Sequence, residues 1–128
     1  MFKTTALALG LALTAGLAHA QDGAAQDPDM AVSAARNQLG VLEYCQAQGH
    51  IDGAAIETQT ELLAMMPAAS DEAAAEEAYA KGQDGMVSAM GVEQSLADAA
   101  SQQGADEAAL CGQLASLVVQ AGEQVPAE

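Results

Sequence analysis

Cys45 and Cys111 are the only cysteines in this 128-residue chain, and they constrain its fold more than any other feature. One pair permits one intramolecular bridge, which closes a loop of 66 sequence steps. Loop-closure entropy makes such a crosslink worth about 4 kcal/mol, a large share of a small domain's stability. A metal or redox site is the rival reading. It lacks ligands, because there is no Cys-x-x-Cys and His50 is the only histidine beyond residue 20. A structural Cys45–Cys111 disulfide is therefore expected, and it requires an oxidising compartment.

The amino-terminal residues supply that compartment. Lys3 gives a positive start, Ala6 to Leu17 form an uncharged apolar run, and Ala18-His19-Ala20 is a small-x-small cleavage site. This is the three-part pattern of a secretory signal peptide, cut between Ala20 and Gln21. The apolar run is shorter than the roughly 20 residues that a membrane span needs. A periplasmic or secreted protein is expected, with a flexible leader at 21–27, one helical domain at 28–122 and an acidic tail at 123–128.

Cleavage removes Lys3 and leaves Arg36 and Lys81 as the only basic side chains against 18 acidic ones. Nucleic acid is excluded as a partner, since phosphate binding needs clustered Lys and Arg. Anionic membrane surfaces are disfavoured for the same reason. The charge keeps an exported protein soluble, and it suits cations or a protein with a basic patch. The core is thin: Tyr44 and Tyr79 are the only aromatics beyond the signal, and alanine forms about a quarter of what remains. Alanine has the best helix propensity but little area to bury. Such a chain forms helices readily and holds them together weakly, which gives the crosslink its importance.

Helix signals punctuate the chain. Asp27-Pro28 reads as an N-cap with proline at the first helical position. Ala31, Ala35, Leu39, Leu42 and Cys45 then make one stripe of a helix over about 28–48, stopped by Gly49. Asp52 caps a second helix that runs to about Met66 and ends at Pro67. A third begins at Ser70-Asp71-Glu72, with acidic residues suited to the positive end of its dipole. Gly82-Gln83-Asp84-Gly85 reads either as a turn or as a kink in one long helix. Met86, Val87, Met90, Val92, Leu96 and Ala100 resume a helical spacing, and Gly104 breaks it. A last helix over about 106–120 carries Leu110, Cys111, Leu114, Leu117 and Val118 on one face, with Gly122 and Pro126 marking a frayed end. No segment sustains the alternation of β-branched residues that strands show, so strands are not expected. Cys45 lies near the end of the first helix and Cys111 near the start of the last. A bridge between them implies antiparallel, side-by-side packing of those two. The expected fold is all-α, an up-down bundle of about four helices stapled by the disulfide.

No catalytic residue is expected. His50 stands alone at a helix end, where such a residue ordinarily meets exposed carbonyls, and no nucleophile-elbow sequence accompanies it. The carboxylates Glu57, Glu61, Asp71, Glu72, Glu76 and Glu77 form the candidate acidic interaction surface. They lack the alternating ligands of an EF-hand, so no dedicated metal site is expected. Met65, Met66, Met86 and Met90 have thioethers that suit copper(I), but methionine at helical spacing is ordinarily core filler. No cofactor is implied.

The stretch Ala35-Arg36-Asn37-Gln38-Leu39-Gly40-Val41-Leu42-Glu43-Tyr44-Cys45 resembles a group of small exported alphaproteobacterial proteins identified as members of the pore-forming early secreted antigenic target family. His50-Ile51-Asp52-Gly53 and Gly91-Val92-Glu93-Gln94-Ser95-Leu96-Ala97 share the resemblance, which spans most of the chain beyond the signal. It implies a membrane-active role and a helical-hairpin dimer. Mycobacterial members carry a Trp-x-Gly turn between two helices; this chain has no tryptophan, so no functional residue carries over. The residues themselves point elsewhere. The apolar faces are mostly alanine and the polar faces acidic, which disfavours stable membrane insertion. A stress chaperone is the second alternative, but in strong acid the chain would keep only Arg36, Lys81, His50 and its amino terminus positive. The expectation is a non-enzymatic exported protein with a binding or structural role, acting through an acidic helix surface or an uncovered apolar face on a protein with a basic or apolar patch.

Overall fold

The computed structural model describes residues 27–89 and 92–125. The expected signal peptide, nearly all of the leader, Met90 and the last three residues of the acidic tail lie outside the described residues. Five helices and a two-stranded antiparallel sheet follow in the order α1 (Pro28–Ala47), α2 (Ala54–Ala64), α3 (Glu72–Gln83), β1 (Met86–Ala89), β2 (Val92–Ser95), α4 (Leu96–Gln102) and α5 (Glu107–Glu123).

Local sequence explains most of the boundaries. Asp27 caps α1 by accepting a hydrogen bond from the Asp29 amide at 3.0 Å. At its far end Gly49 takes a φ of +79°, where a side chain is strained. That turn directs the Gly49 amide to the Gln46 carbonyl and the His50 amide to the Cys45 carbonyl, each at 2.9 Å, a Schellman closure. Asp52 accepts from the Ala54 amide at the start of α2. Asp71, Ser95 and Asp106 cap α3, α4 and α5 in the same way.

The helices pack around α1. Gln59 on α2 donates to the Ala35 carbonyl at 3.0 Å while Gly53 lies against Gln46, so α2 runs antiparallel to α1. Against the opposite side, Arg36 meets Glu72 and Glu43 meets Gln83, so α3 runs parallel to α1. Gly40 and Gly82 face each other where these two helices cross. A Cβ on Gly40 would stand 2.2 Å from the Tyr79 carbonyl oxygen, and one on Gly82 would stand 2.2 Å from that of Asn37. Only hydrogen fits between the two backbones. Gly82 is therefore a helix-packing residue inside α3, and of the two readings of 82–85 the structure takes the turn. The turn comes later, at Asp84 and Gly85, and it ends the helix instead of kinking it.

The disulfide joins α1 to α5 with the Cα atoms of Cys45 and Cys111 5.7 Å apart. α5 runs antiparallel to α1, with Val118 packed on Leu42 at the opposite end of the contact. The first and last helices are thus arranged as the cysteine spacing predicted. Gly122 is not a frayed end. It lies in α5, where a Cβ would come within 2.4 Å of the Thr58 methyl on α2. The largest fully buried side chains are Leu42, Val41, Cys45 and Cys111, so the bridge itself forms about half of the deepest core.

The main departure from expectation is at 86–95. The helical spacing there belongs to a β-hairpin, paired from Met86–Ser95 to Ala89–Val92 and closed at its base by the Leu96 amide on the Gly85 carbonyl at 2.9 Å. Two β-branched residues, Val87 and Val92, suit the extended state, but a tertiary partner selects it. Asn37 is 2% exposed inside the fold. Its Nδ2 donates to the Met86 and Ala78 carbonyls and its Oδ1 accepts from the Ser88 amide, all at 2.9 Å. One side chain on α1 thus acts as a short neighbouring strand along the free edge of β1. The bundle expected from the sequence is real; the count of four helices and the absence of strands were not.

A candidate apolar groove beside the disulfide

α1, β1, α4 and α5 do not close completely on one another. They enclose a half-open groove of about 390 Å³. Its floor is Val41, Leu96, Leu110 and Leu114, which pack on or belong to the core cluster holding both cysteines. Leu117, 63% exposed, stands at its lip. Small residues create the space: Ala34 on α1 and Ala99 on α4 line the walls where a larger side chain would fill them. The disulfide sets the separation of the α1 and α5 walls, because Val41 lies one turn before Cys45 and Leu110 and Leu114 flank Cys111.

The polar groups of the groove are uncharged. Gln38, Gln103 and Gln113 line it alongside Ser88 and Asn37, and among the described residues no Asp, Glu, Lys, Arg or His does. The chain as a whole carries 18 acidic residues and a formal charge of −15. A second groove, between α1, α2 and α3, is different in kind. It contains Arg36 and Glu72, whose charged atoms are 3.7 Å apart, together with Met66 and Tyr79.

The acidic candidates are dispersed. Glu57 and Glu61 are exposed on α2, and Glu76 is exposed on α3. Asp71 is the N-cap of α3, Glu72 faces Arg36, and Glu77 pairs with Lys81 at 3.0 Å. Among the described residues, no three His, Cys, Asp or Glu side chains come together in a way that could hold a metal ion. The methionines do not converge either: Met65 is exposed at the end of α2, while Met86 opens β1.

His50 does not turn its ring to helix-end carbonyls, as its position suggested. Its backbone amide caps α1, and its Nε2 lies 3.5 Å from the Glu107 carboxylate at the start of α5. Interaction with the Glu107 carboxylate raises the Tyr44 pKa, with burial adding to the effect. Tyr79 is raised in the same manner by its bond to Glu43, which Gln83 also reaches at 2.9 Å. Lys81 is held protonated by Glu93 first and Glu77 second. These contacts join neighbouring elements and lie outside the groove lining.

Sequence reasoning found the two cysteines and the apolar face of α5 but not the groove. Its lining comes from four separated elements, and its glutamines carry no motif. The one available signal was negative: residues 108–122 hold no charged side chain in a strongly acidic chain. No helix among the described residues is long and apolar enough to cross a membrane. No protein-family profile, curated protein or solved structure matches the chain.

Proposed function

We propose that this is an exported, non-enzymatic binding protein that receives an apolar group in the groove between α1, β1, α4 and α5. The observation that carries the reading is the groove itself, an uncharged concavity in a chain of formal charge −15. Its volume of about 390 Å³ falls within the size range of small-molecule sites, and its mix of an apolar floor with a few polar groups is their usual make-up. Among the described residues, none of its lining side chains is an acid or base of the kind that general acid–base catalysis employs. Export is supported by the signal pattern at residues 1–20 and is compatible with the buried disulfide.

The test uses N-phenyl-1-naphthylamine, a neutral dye that brightens in apolar surroundings. The oxidised protein should brighten it saturably. Ala99→Phe, which fills the groove, should weaken binding at least tenfold, while Ala73→Phe on the exposed face of α3 should not. Dye binding that ignores Ala99→Phe would overturn the proposal. Dye-release measurements on lipid vesicles address the membrane-active alternative; leakage caused by the oxidised protein at neutral pH would favour it.

A further inference from the structure

We infer that the groove selects uncharged amphiphiles, molecules with an apolar body and a hydroxyl, carbonyl or amide group, over anionic ones of the same length. The inference rests on the binding reading above and narrows it to a ligand class. Three observations carry it.

The first is the lining. An anionic headgroup seated in the groove would lose water and meet no Lys, Arg or His in return. The second is the disposition of the basic side chains. Arg36 faces Glu72 across the groove between α1, α2 and α3, and Lys81 is held between Glu77 and Glu93. Neither is free to reach a ligand beside α5, and the surrounding acidic excess repels anions at long range. The third is the polar groups that are present. Gln38, Gln103 and Gln113 make no side-chain hydrogen bond with the described residues and stand where α1, α4 and α5 meet the groove. A primary amide offers both donors and an acceptor, so it satisfies a hydroxyl or carbonyl without needing a charge. A cationic headgroup gains from the long-range field but finds no carboxylate in the lining to pair with, so its desolvation is uncompensated.

Three ten-carbon competitors, decanol, decanoate and decylammonium, would be compared for displacement of N-phenyl-1-naphthylamine from the oxidised protein at neutral pH. Decanol should displace the dye at a concentration at least tenfold lower than either charged analogue. Gln113→Arg, which puts a cation in place of one of the neutral amides at an exposed position of α5, should improve decanoate relative to decanol at least tenfold. Decanoate or decylammonium competing as well as decanol would overturn the selectivity while leaving the binding reading intact. A protein that fails to bind the dye at all would overturn the binding reading, and this inference with it. Circular dichroism of the variant separates a changed preference from a lost fold.

Discussion

The contacts that α1 makes with α3 and with α5 differ in their chemistry. Its seam with α3 is closed by the absence of side chains, at Gly40 and Gly82, and by hydrogen bonds from Asn37 and among Glu43, Tyr79 and Gln83. Its seam with α5 is held by one covalent link and an apolar cluster, and it leaves a groove. Two backbones in contact leave no room for a ligand. A disulfide fixes the distance at one level only, and the alanines and leucines beyond it do not fill what remains. The difference teaches that a thin, alanine-rich core can be made rigid on one side and receptive on the other.

Breaking each seam should separate these roles. Replacing both cysteines with alanine should have the largest effect, about 4 kcal/mol in urea denaturation, from the loss of loop-closure constraint. Dye binding should weaken with it, and hydrogen exchange should rise in α5 before α3. Equal loosening of α3 would argue against two independent seams. Gly82→Val should cost about 3 kcal/mol, because the obstructing atoms are backbone and cannot rotate away. Should it fold with wild-type stability, the close crossing of α1 and α3 is wrong.

Asn37→Leu comes next, at about 2 kcal/mol, since it leaves the part-buried Ser88 amide and Met86 carbonyl without their partner. The loss should appear as faster amide exchange at Ser88, and unchanged exchange there would remove Asn37 from its role in the hairpin. The smallest effect concerns Tyr79. Its pKa is raised above the ordinary 10.0, chiefly by the bond to Glu43. That bond's contribution is complete below pH 10 and is lost as the pH climbs through the raised folded value. Glu43→Ala should bring the Tyr79 titration back toward 10 by tyrosinate absorbance and cost about 1 kcal/mol at neutral pH. A tyrosine titration that Glu43→Ala leaves in place would sink the assignment.

Features whose cause is local were legible in the sequence. Asp27-Pro28, Gly49, Asp71 and Asp106 act within a turn of where they stand, so they marked helix ends correctly. The cysteine pair was legible because two thiols have one way to join within a chain. The hairpin was not, because the spacing of Met86, Val87, Val92 and Leu96 suits a helix, while the extended state has no alternation there to announce it. Asn37, about fifty residues earlier, decides between them. Gly82 was misread because a helix breaker and a close-packing residue look identical until the partner helix is known.

The groove belongs to this second group, since Ala34, Ala99 and Leu117 become walls only when four elements meet. The sequence by itself determined the helical class, the acidic surface, the bridge and the antiparallel relation of the first and last helices, because propensity, charge and a covalent bond do not depend on what packs nearby. Only the tertiary structure decided the hairpin, the glycine crossing and the uncharged groove, because each is made by atoms far apart in the chain excluding water, or failing to, at one place.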